Sequence, residues 1–423
     1  MWQVLTSAWA LLFGMFLLML GNGMQGTLLG IRGEIEGFDT FAMSIVMSAY
    51  FVGFLGGSRL APNMIRRVGH VRVFAALASL ISAVMILYPT FPYIWVWALG
   101  RVLIGFCFSA VYVTAESWLN NAADNSNRGQ ALSLYMIVQT LGIVAAQAML
   151  LVAEPDGFIL FVIPSVLVSL AITPILLSIS PTPAFDTTKP MSLKELMGFS
   201  PLGCVGMFIL GGIFSAQFGM SSVYGAEAGL SVAQISTFVA TFFIGAVILQ
   251  YPIGWISDRM DRRYLVIIVS VIGGLGCILG MLMGDVFTLL LVSAFVIGGM
   301  ANPLYSLLIA HTNDFLEHDD MAAASGGLIF INGLGAILGP VITGWIMGTS
   351  LGPGGFYLFT AVLFGAMILY AGYRSTVRST LPTDETGSYV PMGPTATSVA
   401  MEIAQEYAIE TELEDEEAAK NAT

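Results

Sequence analysis

The sequence predicts an all-α membrane protein of twelve transmembrane helices arranged as two pseudo-symmetric halves of six. Three observations carry that expectation. Of the 423 residues, 57% are hydrophobic and only 10% charged, where a soluble chain is about a quarter charged. Apolar runs of the ~20 residues needed to cross a ~30 Å hydrocarbon core follow one another along the chain. The chain also repeats itself. Shifted by 192 positions, Gln25 falls on Gln217, Ser44 on Ser236, Gly53 on Gly245 and Arg67 on Arg259. Shifted by 193, Tyr112 falls on Tyr305, Ala131 on Ala324, and Leu141 with Gly142 on Leu334 with Gly335. Backbone groups in lipid must be hydrogen-bonded within their own structure, which leaves helices or a closed barrel, and the short alternating strands of a barrel are absent.

The first span, 8–30, contains an apolar run from Ala8 to Leu29. It is too long for a signal-peptide core and continues into the membrane body, so it is expected to remain as an uncleaved span. Spans 41–61 and 72–89 flank a loop with Arg66 and Arg67, span 93–116 holds Arg101, and span 129–153 follows the polar stretch NNAADNSN. The sixth span is 157–179. Residues 181–200, with Pro181, Pro183, Pro190 and two lysines, then form a linker between an N-terminal half (1–180) and a C-terminal half (201–380). The second half divides into spans 201–224, 231–256, 264–284, 286–310, 321–348 and 355–373. Residues 381–423 carry ten acids and one lysine, which leaves −3 of the net −12 for the rest of the chain. This tail is expected to be disordered and solvated, although Val399, Ile403 and Tyr407 recur at helical spacing.

Twelve spans put both termini on one face, and that face collects thirteen of the fifteen basic residues. Only Arg32 falls on the other face, and Arg101 lies inside a span. Because cytoplasmic loops accumulate Lys and Arg, both termini are expected in the cytoplasm of a multi-pass protein of the inner membrane. Other functional classes find little support. Cys107, Cys204 and Cys277 are odd in number, lie in apolar stretches and lack zinc spacing, so they are expected to be buried hydrophobes. His70, His311 and His318 have no metal-ligand spacing, and no glycine-rich lysine loop for nucleotide phosphates occurs. No basic patch suits nucleic acid. The expected protein is thus not an enzyme, has no cofactor or metal, and sits in the lipid bilayer as a monomer.

The most specific motif is GWISDRMDRR, Gly254 to Arg263, in the loop between the eighth and ninth spans. The first-half copy, LAPNMIRRVGHVR, departs from it, with Pro62 at the place of Gly254 and Arg66 at the place of Asp258. Further strings are SAYFVGFLGG, IRRVGHVRVFAALASL, AESWLNN, RGQALSLYMI, AHTNDF and GLGAILGP. Together they resemble the major facilitator superfamily, and within it the YcaD-type branch of transporters without an agreed substrate, across residues 8–373. The resemblance implies a secondary transporter of a small solute, with alternating access between the two halves. GRVLIGF around Arg101 also resembles a fourth-helix motif linked to proton coupling, whereas the glycine- and proline-rich fifth helix of antiporters is missing at LGIVAAQAML.

Arg101 is the most costly residue in the body, since an intramembrane arginine stays charged and is tolerated chiefly beside a cavity or partner. With Gly105, Phe108, Tyr112 and Glu116 it forms one stripe of its helix, and its repeat position, 294, is an alanine. It either binds an anion or coupling ion or pins neighbouring helices. Asn22, Gln25, Gln217, Tyr224, Asn302, Tyr305 and Tyr112 are candidate solute ligands, in helices that line the cavity of the family. Glu116 is expected to pair with Arg128, as a gate latch or an ordinary helix-end bridge, and Asp258, Arg259 and Arg262 are further gate candidates. A rival reading is a transporter-shaped receptor or scaffold that signals through its acidic tail.

The charge distribution generates a topological test. Single cysteines introduced at Asn125 and Thr187 are expected to react with an impermeant maleimide only from the cytoplasm, and one at Asp156 only from outside. Reversed labelling at any of the three overturns the orientation.

Overall fold

Among the described residues, twelve helices are long and apolar enough to cross a bilayer, and each expected span coincides with one of them. The computed structural model describes residues 2–122, 128–177, 191–377, 387, 389–393, 395–397 and 399–406. The first half comprises α1 (Trp2–Ile35), α2 (Thr40–Val68), α3 (His70–Thr90), α4 (Ile94–Ala122), α5 (Arg128–Met149), α6 (Ile159–Ala171) and its short continuation α7 (Thr173–Leu177). A linker helix, α8 (Leu193–Phe199), precedes α9 (Pro201–Ser215), which passes through a π-helical turn, Ala216–Met220, into α10 (Ser221–Glu227). Then follow α11 (Val232–Ser257), α12 (Arg262–Met283), α13 (Phe287–Asn313), α14 (His318–Met347) and α15 (Gly354–Val377).

Local chemistry explains the helix ends. The Asp39 carboxylate accepts from the Ala42 amide at 2.9 Å and starts α2, while Ser231 and Gln234 form a reciprocal capping box on α11. α2 runs past the expected end at 61, because Pro62 forfeits one backbone hydrogen bond near the helix end without stopping it. Gly69 stops it, with a φ of 83° that favours glycine and an amide that reaches back to the Ile65 carbonyl at 2.8 Å.

The sequence repeat reappears as repeated helix contacts. A Cβ placed on Gly53 of α2 would lie 1.9 Å from the Val102 carbonyl oxygen of α4, and its counterpart on Gly245 of α11 would lie 2.2 Å from that of Phe295 on α13. In the return direction Gly105 meets the Tyr50 carbonyl oxygen at 1.9 Å, and Gly298 meets that of Phe242 at 2.1 Å. Gly142 on α5 and Gly335 on α14 likewise face the Phe16 and Phe208 carbonyl oxygens, at 3.0 and 2.0 Å. Each partner lies 192 or 193 positions from its first-half equivalent, so the two halves share one packing scheme built on close backbone approach.

The halves meet directly at the face away from the basic loops. There Gly30 of α1 packs against Ser222 of α10, and the Thr40 hydroxyl donates to Glu227 at 2.9 Å. Along one seam α2 lies on α14, with the Ser48 hydroxyl donating to the Ile337 carbonyl at 2.6 Å and the Arg59 guanidinium 4.1 Å from the Phe330 ring centroid.

Where a solvated tail is expected, the described residues between 387 and 406 pack into the basic-loop end of the molecule instead. Met392, Thr397, Ala400, Met401, Ile403 and Ala404 are buried, and residues 399–406 are helical. Apolar and small side chains on one helical face, with backbone groups taken up by polar side chains of the core, explain why this stretch leaves water. Residues 381–386 and 407–423 of the expected tail, and 181–190 of the expected linker, lie outside the described residues. The rest of the linker docks on α14, through the Met191 amide and the Ala323 carbonyl at 3.2 Å.

At the start of α12, the buried Arg262 guanidinium pairs with Asp314 at the end of α13 and donates to the Ala310 carbonyl at 3.3 Å. Burial pushes the Asp314 carboxyl above its ordinary value, with the Arg262 charge pulling the other way. Asp258 is 3.8 Å from Arg262 and 41% exposed. Arg263 is held by Asp261 at 2.8 Å.

Two expectations follow for stability. Gly105→Val drives a side chain into the Tyr50 backbone and is expected to destabilise by about 1–3 kcal/mol, whereas Gly365→Ala, with nothing within 4 Å, is neutral or mildly stabilising. Thermal unfolding of the purified variants in detergent separates them. Asp314→Ala strands a buried guanidinium and is expected to cost about 3–5 kcal/mol, against less than about 1 kcal/mol for Asp258→Ala. Equal losses in the second pair would contradict the assignment of Asp314 as the principal ion partner.

Candidate functional site

A cavity of about 770 Å³ lies between the halves. Five of the thirteen candidate residues line it: Asn22, Gln25, Arg101, Glu116 and Asn302. α1 and α4 supply the polar centre. Asn22 and Gln25 are three apart and so share one face of α1, and Arg101 reaches them from the eighth position of α4.

These groups are linked in series. Arg101 Nη1 donates to Gln25 Oε1 at 2.9 Å, Gln25 Nε2 to Asn22 Oδ1 at 3.3 Å, and Asn22 Nδ2 to the Tyr112 hydroxyl at 3.0 Å. The Tyr112 hydroxyl ends the chain at the sulfur of Met19, 3.5 Å away. Each amide accepts on the side of the cation and donates on the other, so its dipole is aligned with the charge. The guanidinium carbon also lies 4.6 Å from the centroid of the Tyr50 ring. Arg101 is 3% exposed, yet among the described residues it has no carboxylate partner, and its Nε has no hydrogen-bond acceptor. A desolvated guanidinium with spare donors that faces a cavity has the chemistry to bind an anion.

The second half contributes less than expected. Gln217 is buried in the π-helical turn and, among the described residues, neither polar atom of its amide meets a protein partner. Tyr224 belongs to an aromatic cluster, with its ring 5.2 Å from those of Phe356 and Tyr357, and does not line the cavity. Tyr305 packs against Phe214 at 6.0 Å. Asn302 lies on the wall but gives its amide to the Gly298 carbonyl of its own helix at 3.0 Å.

The gate candidates divide in the same way. Glu116 is fully buried and accepts from the Tyr135 hydroxyl at 3.4 Å, from the Thr397 amide at 3.2 Å, and from the Thr397 hydroxyl. Arg128 opens α5, but its side chain lies outside the described residues. Asp258 accepts from the Tyr389 amide at 2.9 Å. Arg259 is exposed, stacks 4.1 Å over the Trp255 ring and bonds to the Trp255 carbonyl at 2.9 Å, so it anchors its own loop. Arg262 is held by Asp314, a residue inside the AHTNDF string that the sequence reading did not single out as a partner. Tyr50, Gln139 and Asn332 were also missed as cavity residues. The repeat held a signal for the last two, since an offset of 193 puts the polar Gln139 on the polar Asn332.

Comparison with known proteins agrees with this architecture. The family model described as Major Facilitator Superfamily matches residues 11–198 and 202–401. Relatives include proteins called "Uncharacterized MFS-type transporter YcaD". The one from Salmonella arizonae is 26% identical over 341 residues, covering 80% of this chain and 88% of the relative. That from Escherichia fergusonii is 28% identical over 345 residues, with the same coverage. Among solved structures, the nucleoside transporter NupG superposes with a TM-score of 0.68 at 17% identity, covering 88% of this chain and 98% of that one. A bacterial homolog of the human lysosomal transporter Spinster, in an inward-facing and unoccupied conformation, gives 0.69 at 12% identity, over 96% and 98%. The structural likenesses show the fold, and the family match spans both halves and the linker: the chain belongs to the major facilitator superfamily of membrane transporters.

Proposed function

We propose that this protein is a secondary transporter that carries a small solute with an anionic group through the cavity between its halves, by alternating access, with Arg101 as the group that grips the anion. The basic-loop face is the cytoplasmic one in this reading, by the distribution of lysine and arginine. The observation that carries it is the buried Arg101, which faces the cavity with free donors and no carboxylate of its own. A structural arginine would be expected to spend those donors on carbonyls or acids of neighbouring helices, as Arg262 does. The Gln25–Asn22–Tyr112 chain orients the site, and Asn302 faces it from the other half. One neighbour in fold is the Escherichia coli fucose:proton symporter FucP, at a TM-score of 0.57 and 15% identity. Proton coupling is the corresponding reading here. Arg101 supports it only as a fixed charge, because a guanidinium does not release its proton in the physiological range.

The test is a thermal-shift series on purified protein with carboxylates, sulfonates and phosphorylated metabolites, each beside a neutral analogue of matched size. A ligand at 100 times its dissociation constant stabilises the native state by about 2.7 kcal/mol. Arg101→Gln removes an unpaired buried charge, so its unliganded stability is expected to equal or exceed that of the parent. Its response to every anion is expected to disappear. Arg101→Lys keeps a charge without the planar fork, and is expected to respond to the same anions more weakly. Anions that stabilise the Gln variant as well as the parent would remove Arg101 from the site, and a large loss of unliganded stability in that variant would make it structural.

A further inference from the structure

The basic-loop mouth of the cavity is filled by the chain's own C-terminal segment, and we propose that the described residues between 389 and 406 are a self-inhibitory plug that blocks access to the cavity from that face until it is released.

The segment is seated by contacts to both halves. On the first half, Thr397 gives its amide and hydroxyl to Glu116 of α4, and the Thr395 hydroxyl donates to Gln139 of α5 at 3.2 Å. On the second half, Ser306 of α13 accepts from the Met392 amide at 2.8 Å and donates to the Met392 carbonyl at 3.2 Å, so one hydroxyl satisfies both backbone groups of one residue. Gln250 of α11 donates to the same carbonyl at 3.3 Å, and Gln405 donates to the Ser325 hydroxyl of α14 at 2.8 Å. The Arg262–Asp258 corner holds the start of the segment, with Arg262 donating to the Gly387 carbonyl and Asp258 accepting from Tyr389. Buried polar atoms cost about 1–3 kcal/mol when left unpaired, and at Glu116, Ser306 and the Met392 backbone the walls and the segment satisfy each other.

Shape agrees with chemistry. A Cβ on Gly254, the first residue of the GWISDRMDRR motif, would lie 2.6 Å from the ring of Tyr389, so this glycine is the notch in which the Tyr389 ring sits. The helical stretch turns Ala400, Met401, Ile403 and Ala404 inward, all between 1% and 3% exposed. Tyr389, Met392, Thr395, Ala396 and Ala400 form part of the lining of the cavity that holds Arg101. Only nine residues, 378–386, separate the end of α15 from Gly387. So short a tether holds the segment near its seat at an effective concentration in the millimolar range, which makes a modest intrinsic affinity enough for high occupancy. The seat lies between α4 and α5 of one half and α11, α13 and α14 of the other. These are the ends that alternating access must bring together, so the plugged state also opposes closure on this side. That last step rests on the transport reading above, whereas occupancy of the mouth does not.

The test therefore uses no solute. In full-length protein with Cys107, Cys204 and Cys277 replaced by serine, Gln139→Cys and Thr395→Cys are combined and treated in membranes with a short bifunctional thiol cross-linker, whose spacer makes up for the shortened Gln139 side chain. An intramolecular link, read by mass spectrometry of the joined peptides, is expected; its absence overturns the proposal. Separately, Asn302→Cys in the same background reports access, by its rate of reaction with an impermeant maleimide applied from the basic-loop face. A mouth filled nine-tenths of the time slows that rate about tenfold. Ending the chain after Thr380 is therefore expected to speed labelling about tenfold. Thr397→Glu in the full chain, which sets a second carboxylate against Glu116, is expected to do the same without shortening the protein. Should the shortened protein fail to fold, the Thr397→Glu rate decides. Equal rates in the folded variants and the parent overturn the plug, and leave the anion-binding experiment on Arg101 untouched.

Discussion

Inside a bilayer, helices gain little from hiding apolar surface, because lipid tails are as apolar as leucine; what holds them together is close contact. The fold depends on that constraint. Gly53 and Gly105 let α2 and α4 bring their backbones together, and Gly245 and Gly298 do the same for α11 and α13. A side chain at any of the four would enter a neighbouring carbonyl. The pairs sit at repeat-related positions, so the conserved unit of the two halves is a packing geometry more than a set of side chains.

On that common frame the halves are chemically unequal. The first half places Asn22, Tyr50 and Arg101 around the cavity centre, where the second half has Phe214, Phe242 and Ala294 at the corresponding positions. Gln25 and Gln217 are retained in both. In the first half the amide supports the guanidinium at 2.9 Å, whereas in the second it is buried without a protein partner. The cation and its orienting chain therefore belong to one half, and the other provides a mostly apolar wall, with Phe214, Phe218 and Phe243 among aliphatic side chains, against which a solute with an apolar portion would rest.

How much of this was legible in the sequence follows from what each feature depends on. The spans were legible because hydrocarbon thickness imposes a length and a composition on every one of them. Arg101 was legible because burying a charge in lipid is expensive enough to stand out alone. The chain from Gln25 to Tyr112 joined residues that had been picked singly. Tyr224 failed as a cavity residue because a helix that lines a cavity also has faces that do not, and a single tyrosine does not reveal which it occupies. Asp314 was overlooked because its partner, Arg262, lies 52 positions earlier, and no periodicity links two loops. The C-terminal segment was misread for a deeper reason. Its overall composition is that of a solvated acidic tail, while its docking depends on a short inner stretch, Met392 to Ala404, and on isolated acceptors such as Ser306 and Glu116 that are distant in sequence.

That misreading bears on what Glu116 is for. As a helix-end carboxylate it looked like half of an ion pair with Arg128, whose side chain lies outside the described residues; among the described residues its partners include a tyrosine hydroxyl and the amide and hydroxyl of Thr397. These are neutral donors on a segment that has to be able to leave. An arginine in their place would hold the mouth through a buried ion pair, whose rupture strands a charge and costs several kcal/mol. Hydrogen bonds from neutral donors to the carboxylate are weaker than such a pair, and water replaces them readily once the mouth opens. The same holds at Ser306 and Gln250, which contact the segment through uncharged groups. The buried cation that touches the segment, Arg262 at the Gly387 carbonyl, lies at the rim, and there Asp314 remains to pair with Arg262 after the segment has gone. The contacts are thus graded so that releasing the segment leaves no unpaired charge at Arg262, and a reversible plug requires that property more than it requires tight binding.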